Sequence, residues 1–239
     1  MVFRNLNRKE VDDLVRDIYN LRAGNYRKVG DEKAFLTDGF KIYKKHLSEI
    51  CLSFSHKIDV LDLGCGTGRY FCCLRNVKTL VGIDISENMI EEAKESLDKS
   101  KLDIESTELF VHNAHDIEQL LIGRAFDFIY SIGVFAEYTV LSSELLNKVY
   151  DLLNPGGKIY ITTVNKNVSF NKSLSFKKII KHIIGDNYFI KRNRFDFSKF
   201  YLTLGKLKKI LNESKFLSYK IESFKDSKHL HNIIIAQKG

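Results

Sequence analysis

The chain has 239 residues, of which 44% are hydrophobic and 12% aromatic, and its formal net charge at neutral pH is +8. This length and composition suit one α/β domain with a single core. No apolar run reaches the roughly 18 residues that a membrane-spanning helix needs, and the N-terminus lacks the apolar segment of a secretion signal. We therefore expect a cytoplasmic protein with no transmembrane segment.

The positive charge is unevenly distributed along the chain. Residues 1–164 carry 21 basic and 25 acidic residues, whereas residues 165–230 carry 16 basic and 5 acidic ones. A net positive charge over a whole chain usually suggests a protein that binds nucleic acids. This distribution instead predicts one basic surface, contributed by a C-terminal segment near the substrate entrance.

The four cysteines do not form a metal-binding pattern. Cys72 and Cys73 are adjacent rather than spaced as CxxC, and no histidine cluster accompanies them. We expect them, with Cys51 and Cys65, to pack as small apolar side chains in a reducing compartment. No metal site is predicted.

Two helical patterns, at residues 8–22 and 31–50, precede the first predicted strand. Ala23, Gly24 and Asn25 separate them, and this run predicts a break between two helices.

Three glycines at alternate positions, Gly64, Gly66 and Gly68, interrupt the chain after the apolar run 58–63. Glycine tolerates a positive φ and lets a ligand lie directly against the backbone. A strand over 58–63, a glycine turn and a helix over about 67–76 are the parts of a nucleotide-binding corner.

A second predicted strand, 79–84, ends in Asp84, 16 residues after Gly68. A carboxylate at that strand end can accept hydrogen bonds from both hydroxyls of a ribose. Ser86 then has the character of a helix N-cap, with Met89 and Ile90 on the buried face of the helix it begins.

Strand and helix patterns continue to alternate up to residue 164, which predicts a mostly parallel sheet with helices on both faces. Residues 165–200 are too long for an ordinary connection. A helix from Thr203 to about residue 213 and strands at 216–224 and 230–236 complete the chain.

Within the long connection, residues 176–184 place isoleucines and a phenylalanine on one helical face and lysines on the other. Three interpretations stay open. The helix covers the core as a lid, it contacts an anionic membrane surface or lipid, or it contacts the phosphates of a nucleic acid or sugar nucleotide. The basic and aromatic residues at 191–195 slightly favour an anionic ligand.

The glycine turn and the Val-Gly-Ile-Asp-Ile-Ser run ending at Ser86 resemble class I S-adenosylmethionine-dependent methyltransferases. Three further segments resemble that family in the same order: 110–116 its adenine loop, 126–135 its fourth strand, and 153–161 its Leu-x-Pro-Gly-Gly turn. The resemblance implies a Rossmann-like α/β fold: a seven-stranded, mostly parallel sheet with helices on both faces and an antiparallel last strand.

The resemblance also implies a division of one methyltransferase domain, 1–239, into four parts. Residues 1–55 form an N-terminal helical lid and 56–164 the cofactor-binding core. Residues 165–202 form a basic insertion or lid, and 203–239 the closing helix and strands.

The cofactor implied by the resemblance is S-adenosylmethionine. Its site is carried over, position by position, onto Asp62, Gly64, Cys65, Gly66, Gly68, Asp84, Ile85, Asn113, Ala114 and Ser131. The glycines would lie beneath the methionine and ribose, Asp62 would organise the loop and the amino-acid end, and Asp84 would take the ribose hydroxyls. Many relatives have Asp where this chain has Asn113, whose carbonyl could still accept a hydrogen bond from the adenine amino group.

Catalytic residues are harder to assign, because methyl transfer from a sulfonium needs mainly alignment and needs a base only if the acceptor must lose a proton. Glu137, Tyr138 and His115 are the catalytic candidates, and Tyr19 and Tyr26 the substrate-binding ones. Structural roles are the alternative for each, as a helix-start acid, a surface histidine or packed aromatic rings.

Three functions follow from these observations. The leading one is methyl transfer to an O or N atom of a small molecule, such as a sugar, a lipid-linked glycan or another metabolite, with an anionic group on the acceptor as one option. The second is an RNA methyltransferase that uses the basic 165–230 segment. The third is a cofactor-binding regulatory subunit without catalytic activity.

Overall fold

The computed structural model describes residues 6–100, 104–166, 196–226 and 229–239. The basic insertion is described only at its two ends. The amphipathic helix predicted at 176–184 and the basic residues at 191–195 lie outside the described residues.

Seven strands form one sheet in the order β3-β2-β1-β4-β5-β7-β6. Strands β1 to β5 are mutually parallel, whereas β7 runs antiparallel to both of its neighbours. The predicted Rossmann-like α/β sheet with an antiparallel last strand is thereby confirmed. The strands are β1 (Ile58–Leu63), β2 (Val77–Asp84), β3 (Ser106–Val111), β4 (Phe126–Ser131), β5 (Leu153–Val164), β6 (Tyr219–Lys225) and β7 (Leu230–Gln237).

Helices cover both faces of the sheet. The helices of the described residues are α1 (Arg8–Asn25), α2 (Glu32–Phe35), α3 (Asp38–Leu52), α4 (Glu87–Ser100), α5 (Ile117–Leu120), α6 (Ser143–Asp151) and α7 (Leu204–Asn212). Apolar residues of α3 and α4 pack on one face of β1, β2 and β4. Those of α5, α6 and α7 pack on the other face. None of the helices in the described ranges is long and apolar enough to span a bilayer.

The N-terminal helices differ from their prediction. α1 continues through Ala23, Gly24 and Asn25 and passes into a π-helix, Tyr26–Asp31, before α2. The chain breaks instead at Leu36 and Thr37, where the Thr37 side chain accepts a hydrogen bond from the Phe40 N–H and caps α3. Arg27 bonds Glu92 of α4, so contacts with the core hold the chain helical beyond the predicted break.

The helix predicted at about 67–76 is wrong. Only a short 3₁₀ turn, Phe71–Cys73, follows the glycines, and β2 begins at Val77. Asn76 adopts a φ of 55° and donates to the carbonyls of Phe54 and His56. This tertiary contact fixes a tight turn where local sequence favoured a continuing helix.

Candidate functional site

A cavity of about 610 Å³ opens along the carboxyl ends of β1, β2, β4 and β5. In open α/β sheets this edge is where ligands bind. The cavity crosses the sheet from the end of β2 to the β6–β7 hairpin. It is roofed by residues of α1, the π-helix and the start of α3.

The glycine turn after β1 needs its glycines for two different reasons. Gly64, Gly66 and Gly68 all have positive φ, between 53° and 79°. A side chain at Gly64 would overlap Val134, and one at Gly68 would meet the Phe71 ring at 2.5 Å. A side chain at Gly66 would meet no atom within 4 Å, and Gly66 lines the cavity. Gly66 therefore leaves room for a ligand, whereas the other two leave room for the protein.

Asp84, at the end of β2, is tied to this turn. Its carboxylate accepts hydrogen bonds from the N–H of Gly66 at 2.9 Å and of Ser86 at 2.8 Å. Burial raises the pKa of Asp84 to about 6. A carboxylate has about four acceptor positions, so Asp84 keeps acceptor capacity for ribose hydroxyls beside these backbone N–H groups.

Asp62 lies in the wall of the same cavity and is only 2% exposed. Its Oδ2 makes no hydrogen bond of ordinary geometry, although the Tyr130 hydroxyl lies close by. Burial raises the pKa of its carboxyl group to about 8 and outweighs the lowering by Tyr130. An unsatisfied buried acceptor is costly, and the ammonium of an amino acid is a donor that would satisfy it. The donor set at Asp62, the open space at Gly66 and the carboxylate of Asp84 together fit an amino-acid-bearing nucleoside.

The raised pKa of Asp62 predicts a pH dependence of stability. Between about pH 4 and pH 8 the folded chain holds a proton that the unfolded chain releases, so the free energy of unfolding falls as pH rises, by at most about 1.4 kcal/mol per pH unit. Urea unfolding of the wild type and Asp62→Asn, at several pH values, measures the difference that isolates this group. Equal slopes for the two proteins would contradict the assignment.

At the β2–β3 end of the cavity, Asn113 is engaged within the protein. Its Nδ2 donates to Asp12 Oδ2 at 2.8 Å, and its Oδ1 accepts from the His115 N–H at 3.0 Å. Ile85 and Ala114 line the cavity beside it. Asp12 of α1 also lines this end. It places a carboxylate beside Asn113, the position where many relatives have an aspartate, and the sequence analysis did not predict it.

Two residues of the predicted cofactor site lie outside the cavity lining. Ser131 is 1% exposed, and its hydroxyl donates to the Leu63 carbonyl at 2.6 Å. Gly68 lies against Phe71, as described above. Cys65, in contrast, does line the cavity, and its side chain packs next to Gly82.

The catalytic candidates all reach the cavity, in different settings. Glu137 lines it just beyond Ala136, which has a φ of 55°. The Tyr138 ring packs edge-on against the Tyr19 ring, at 5.3 Å between centroids. His115 is buried rather than on the surface: its Nε2 is 2.8 Å from the Thr139 hydroxyl, and burial, followed by nearby Arg8, lowers its pKa.

Tyr19 and Tyr26, the substrate-binding candidates, both line the cavity from the N-terminal segment. Their rings meet edge-on with centroids 6.1 Å apart. The Arg69 guanidinium lies over the Tyr26 ring, 4.7 Å from its centroid.

The cavity continues beyond the turn into a part that sequence reasoning missed, here called the distal compartment. It is lined by Phe40, Tyr43, Thr162, Phe224, Asp226 and His231. His231 stacks on Phe224, and its Nε2 is 3.1 Å from Asp226 Oδ2. A carboxylate can only accept, so Nε2 carries the hydrogen in this contact, and in the neutral ring the lone pair is then on Nδ1.

Glu137 lies close enough to the distal compartment to affect the pKa of Tyr43, one of its lining residues. Burial, Tyr70, Glu137 and Asp226 together raise the pKa of the Tyr43 phenol.

The pairing of Asp226 with His231 is hard to predict from sequence. The two residues are five positions apart across a hairpin, and the register of the hairpin decides whether their side chains meet.

A second missed cluster joins the N-terminal segment to the glycine turn. Asp31, at the end of the π-helix, accepts from Thr67 Oγ1 at 2.8 Å and from Arg69 Nε at 2.6 Å. The pair is largely buried, with side-chain exposures of 8% for Asp31 and 15% for Arg69. No local pattern indicates this contact, because the partners are 36 and 38 residues apart.

The glycine turn after β1, the carboxylate after β2 and the cavity over the strand ends define a nucleoside-binding α/β domain. A family model described as a methyltransferase domain matches residues 54–230. The chain belongs to this methyltransferase family and is a class I S-adenosylmethionine-dependent methyltransferase.

Relatives of known identity agree with this assignment. The chain is 32% identical over 158 residues to a demethylmenaquinone methyltransferase of Leptospira interrogans, covering 64% of this chain and 61% of that protein. It is 30% identical over 131 residues to a ubiquinone biosynthesis O-methyltransferase of Coxiella burnetii, covering 54% and 50%. The chain thus spans about half to three fifths of these relatives.

Among solved structures, magnesium protoporphyrin IX methyltransferase from Synechocystis with bound S-adenosylmethionine matches with a TM-score of 0.66. The match covers 99% of this chain and 100% of that one at 13% identity, which shows a shared fold.

Proposed function

We propose that this enzyme methylates an O or N atom of a small molecule held in the distal compartment. The observation that carries the proposal is that the cavity extends past Gly66 and Asp84 to the β6–β7 hairpin. The first part fits the cofactor, and the second offers aromatic walls with a few polar groups. This mixture is typical of small-molecule sites.

The named relatives support a small acceptor, since one is named for demethylmenaquinone and the other for ubiquinone biosynthesis. Their sequence match covers only part of each chain. The proposal therefore extends to the size class of the acceptor and to the O or N atom, and not to a quinone.

S-adenosylmethionine, when bound, supplies a methyl group that its sulfonium charge already activates. The residues of the chain have to hold the acceptor, exclude water and, for a hydroxyl or an ammonium acceptor, receive a proton. Among the described residues, His231 Nδ1 and the Glu137 carboxylate are the candidates to receive it, since the Asp226 carboxylate of the same compartment is engaged with His231 Nε2. Tyr138 and His115, already engaged in packing and hydrogen bonds, better fit supporting roles.

The test is methyl transfer from labelled S-adenosylmethionine to three acceptor sets: phenols and quinols, amines and sugars, and total RNA. We expect product only with members of the first two sets, and inhibition by S-adenosylhomocysteine. Labelling of RNA alone, with a steep salt dependence, would favour the RNA methyltransferase. Cofactor binding without labelling of any set would favour the regulatory subunit.

With an acceptor in hand, His231→Gln and Glu137→Gln separate the two proton-receiving candidates. The variant that removes the proton acceptor should lower kcat by about 100-fold or more while leaving S-adenosylhomocysteine affinity unchanged. Unchanged kcat in both variants would contradict the need for a base in this reaction.

A further inference from the structure

We propose that Arg69 binds the carboxylate of the cofactor's methionine end and that Asp31, from the N-terminal segment, is the residue that positions Arg69 for it. This inference rests on the cofactor, which family membership establishes, and not on the identity of the acceptor.

Few residues of the cavity wall carry a permanent positive charge. The described part of the lining contains two residues with a permanent positive charge, Arg69 and Lys225. Lys225 ends β6, beside the distal compartment, whereas Arg69 directly follows the glycine turn. The methionine end of the cofactor is a zwitterion, and a desolvated carboxylate needs a cationic partner. Arg69 is the cation on the cofactor side of the cavity.

The geometry of the guanidinium carries the second step. Arg69 uses Nε and Nη2 on one carboxylate oxygen, Asp31 Oδ1, each at 2.6 Å. A guanidinium has five N–H donors in a planar fork. The Tyr70 hydroxyl also interacts with this guanidinium. The N–H groups that Asp31 and Tyr70 leave unused can serve a second carboxylate, and hydrogen bonds between arginine and carboxylate are strong and directional.

Asp62 completes the pairing. Asp62 lines the same cavity. Its Oδ2 is buried next to Tyr130 and makes no hydrogen bond of ordinary geometry, so the carboxyl group suits the ammonium of the same zwitterion. The carboxylate of the zwitterion would take N–H groups of Arg69 that Asp31 does not use, and its ammonium would lie against the Asp62 carboxylate.

Asp31 makes this arrangement dependent on the N-terminal segment. Its Oδ2 receives the Thr67 hydroxyl, so one carboxylate fixes two residues of the turn region at once. The turn is also held from α4, where Ser96 Oγ donates to the Thr67 carbonyl at 2.6 Å. Without Asp31, the Ser96 contact would still hold the backbone, but the Arg69 side chain would lose its orientation.

The experiment uses two ligands that differ in one group: S-adenosylhomocysteine and its decarboxylated form, which keeps the ammonium. Calorimetric titration, with competition for weak binding, gives both affinities for the wild type and for Arg69→Met, Arg69→Lys and Asp31→Asn. Arg27→Met is the matched control, because Arg27 is a partly buried arginine of the same segment paired with Glu92 and Glu95 outside the cavity lining.

We expect Arg69→Met to weaken S-adenosylhomocysteine binding by about 10- to 100-fold, the range for a hydrogen bond to a charged group, and to leave the decarboxylated ligand within about 3-fold. Asp31→Asn should produce a smaller loss with the same selectivity, and Arg27→Met no selective loss. Equal losses for both ligands, or no loss for either, would overturn the inference. If Arg69→Met does not fold, Arg69→Lys decides by the same ratio of affinities.

Discussion

Replacing Asp84 with alanine should weaken S-adenosylhomocysteine binding by at least about 100-fold. The carboxylate is placed to receive the ribose hydroxyls, and each charge-assisted hydrogen bond is worth about 1.5–3 kcal/mol. It also holds the Gly66 N–H at 2.9 Å, so its loss releases the turn on which the cofactor lies. Calorimetric titration of the folded variant measures the affinity directly.

Asp84→Asn is the conservative variant for this test, and Asp59→Ala is its control. The amide keeps the volume of the side chain and one acceptor oxygen, so we expect a smaller loss of affinity. Asp59 in β1 accepts from the Thr79 hydroxyl at the opposite edge of the sheet and should leave cofactor affinity unchanged. Unaltered affinity in a folded Asp84→Ala protein would remove Asp84 from the ribose site.

Alanine should act differently at Gly64 and at Gly66, although both residues belong to one turn: the first should mainly lower stability and the second mainly cofactor binding. Gly64→Ala places a methyl group on Val134 at a φ of 79°. Overpacking and the left-handed conformation together should cost about 2–4 kcal/mol of unfolding free energy. Gly66→Ala meets no protein atom and should cost only about 1 kcal/mol, but its methyl group fills space that the ligand needs and should abolish measurable cofactor binding.

Gly123 supplies the control for this pair. It has a φ of 74° and no atom within 4 Å of a built side chain, but it lies outside the cavity lining, between α5 and β4. Gly123→Ala should cost about the same stability as Gly66→Ala and leave cofactor affinity intact. Urea unfolding and titration of the three variants test the argument. A Gly66→Ala protein that binds the cofactor normally would contradict it.

The sequence by itself determined the sheet, the glycine turn and the carboxylate after β2. These features are local: strand periodicity, glycines that need positive φ, and an acid at a strand end all lie within short windows. Asp62, Gly66 and Asp84 consequently all line the cavity, and the antiparallel last strand is where the resemblance predicted it.

Only the tertiary structure decided the rest, because the partners are far apart in sequence. Packing on α4 keeps α1 helical beyond the predicted break. The hydrogen bonds from Asn76 to the Phe54 and His56 carbonyls fix a turn where the sequence predicted a helix over about 67–76. Asp31 meets Arg69, and Asp226 meets His231, only once the N-terminal segment docks and the hairpin sets its register. Periodicity reports which face of an element is buried, but side-chain contacts across elements depend on how those elements pack.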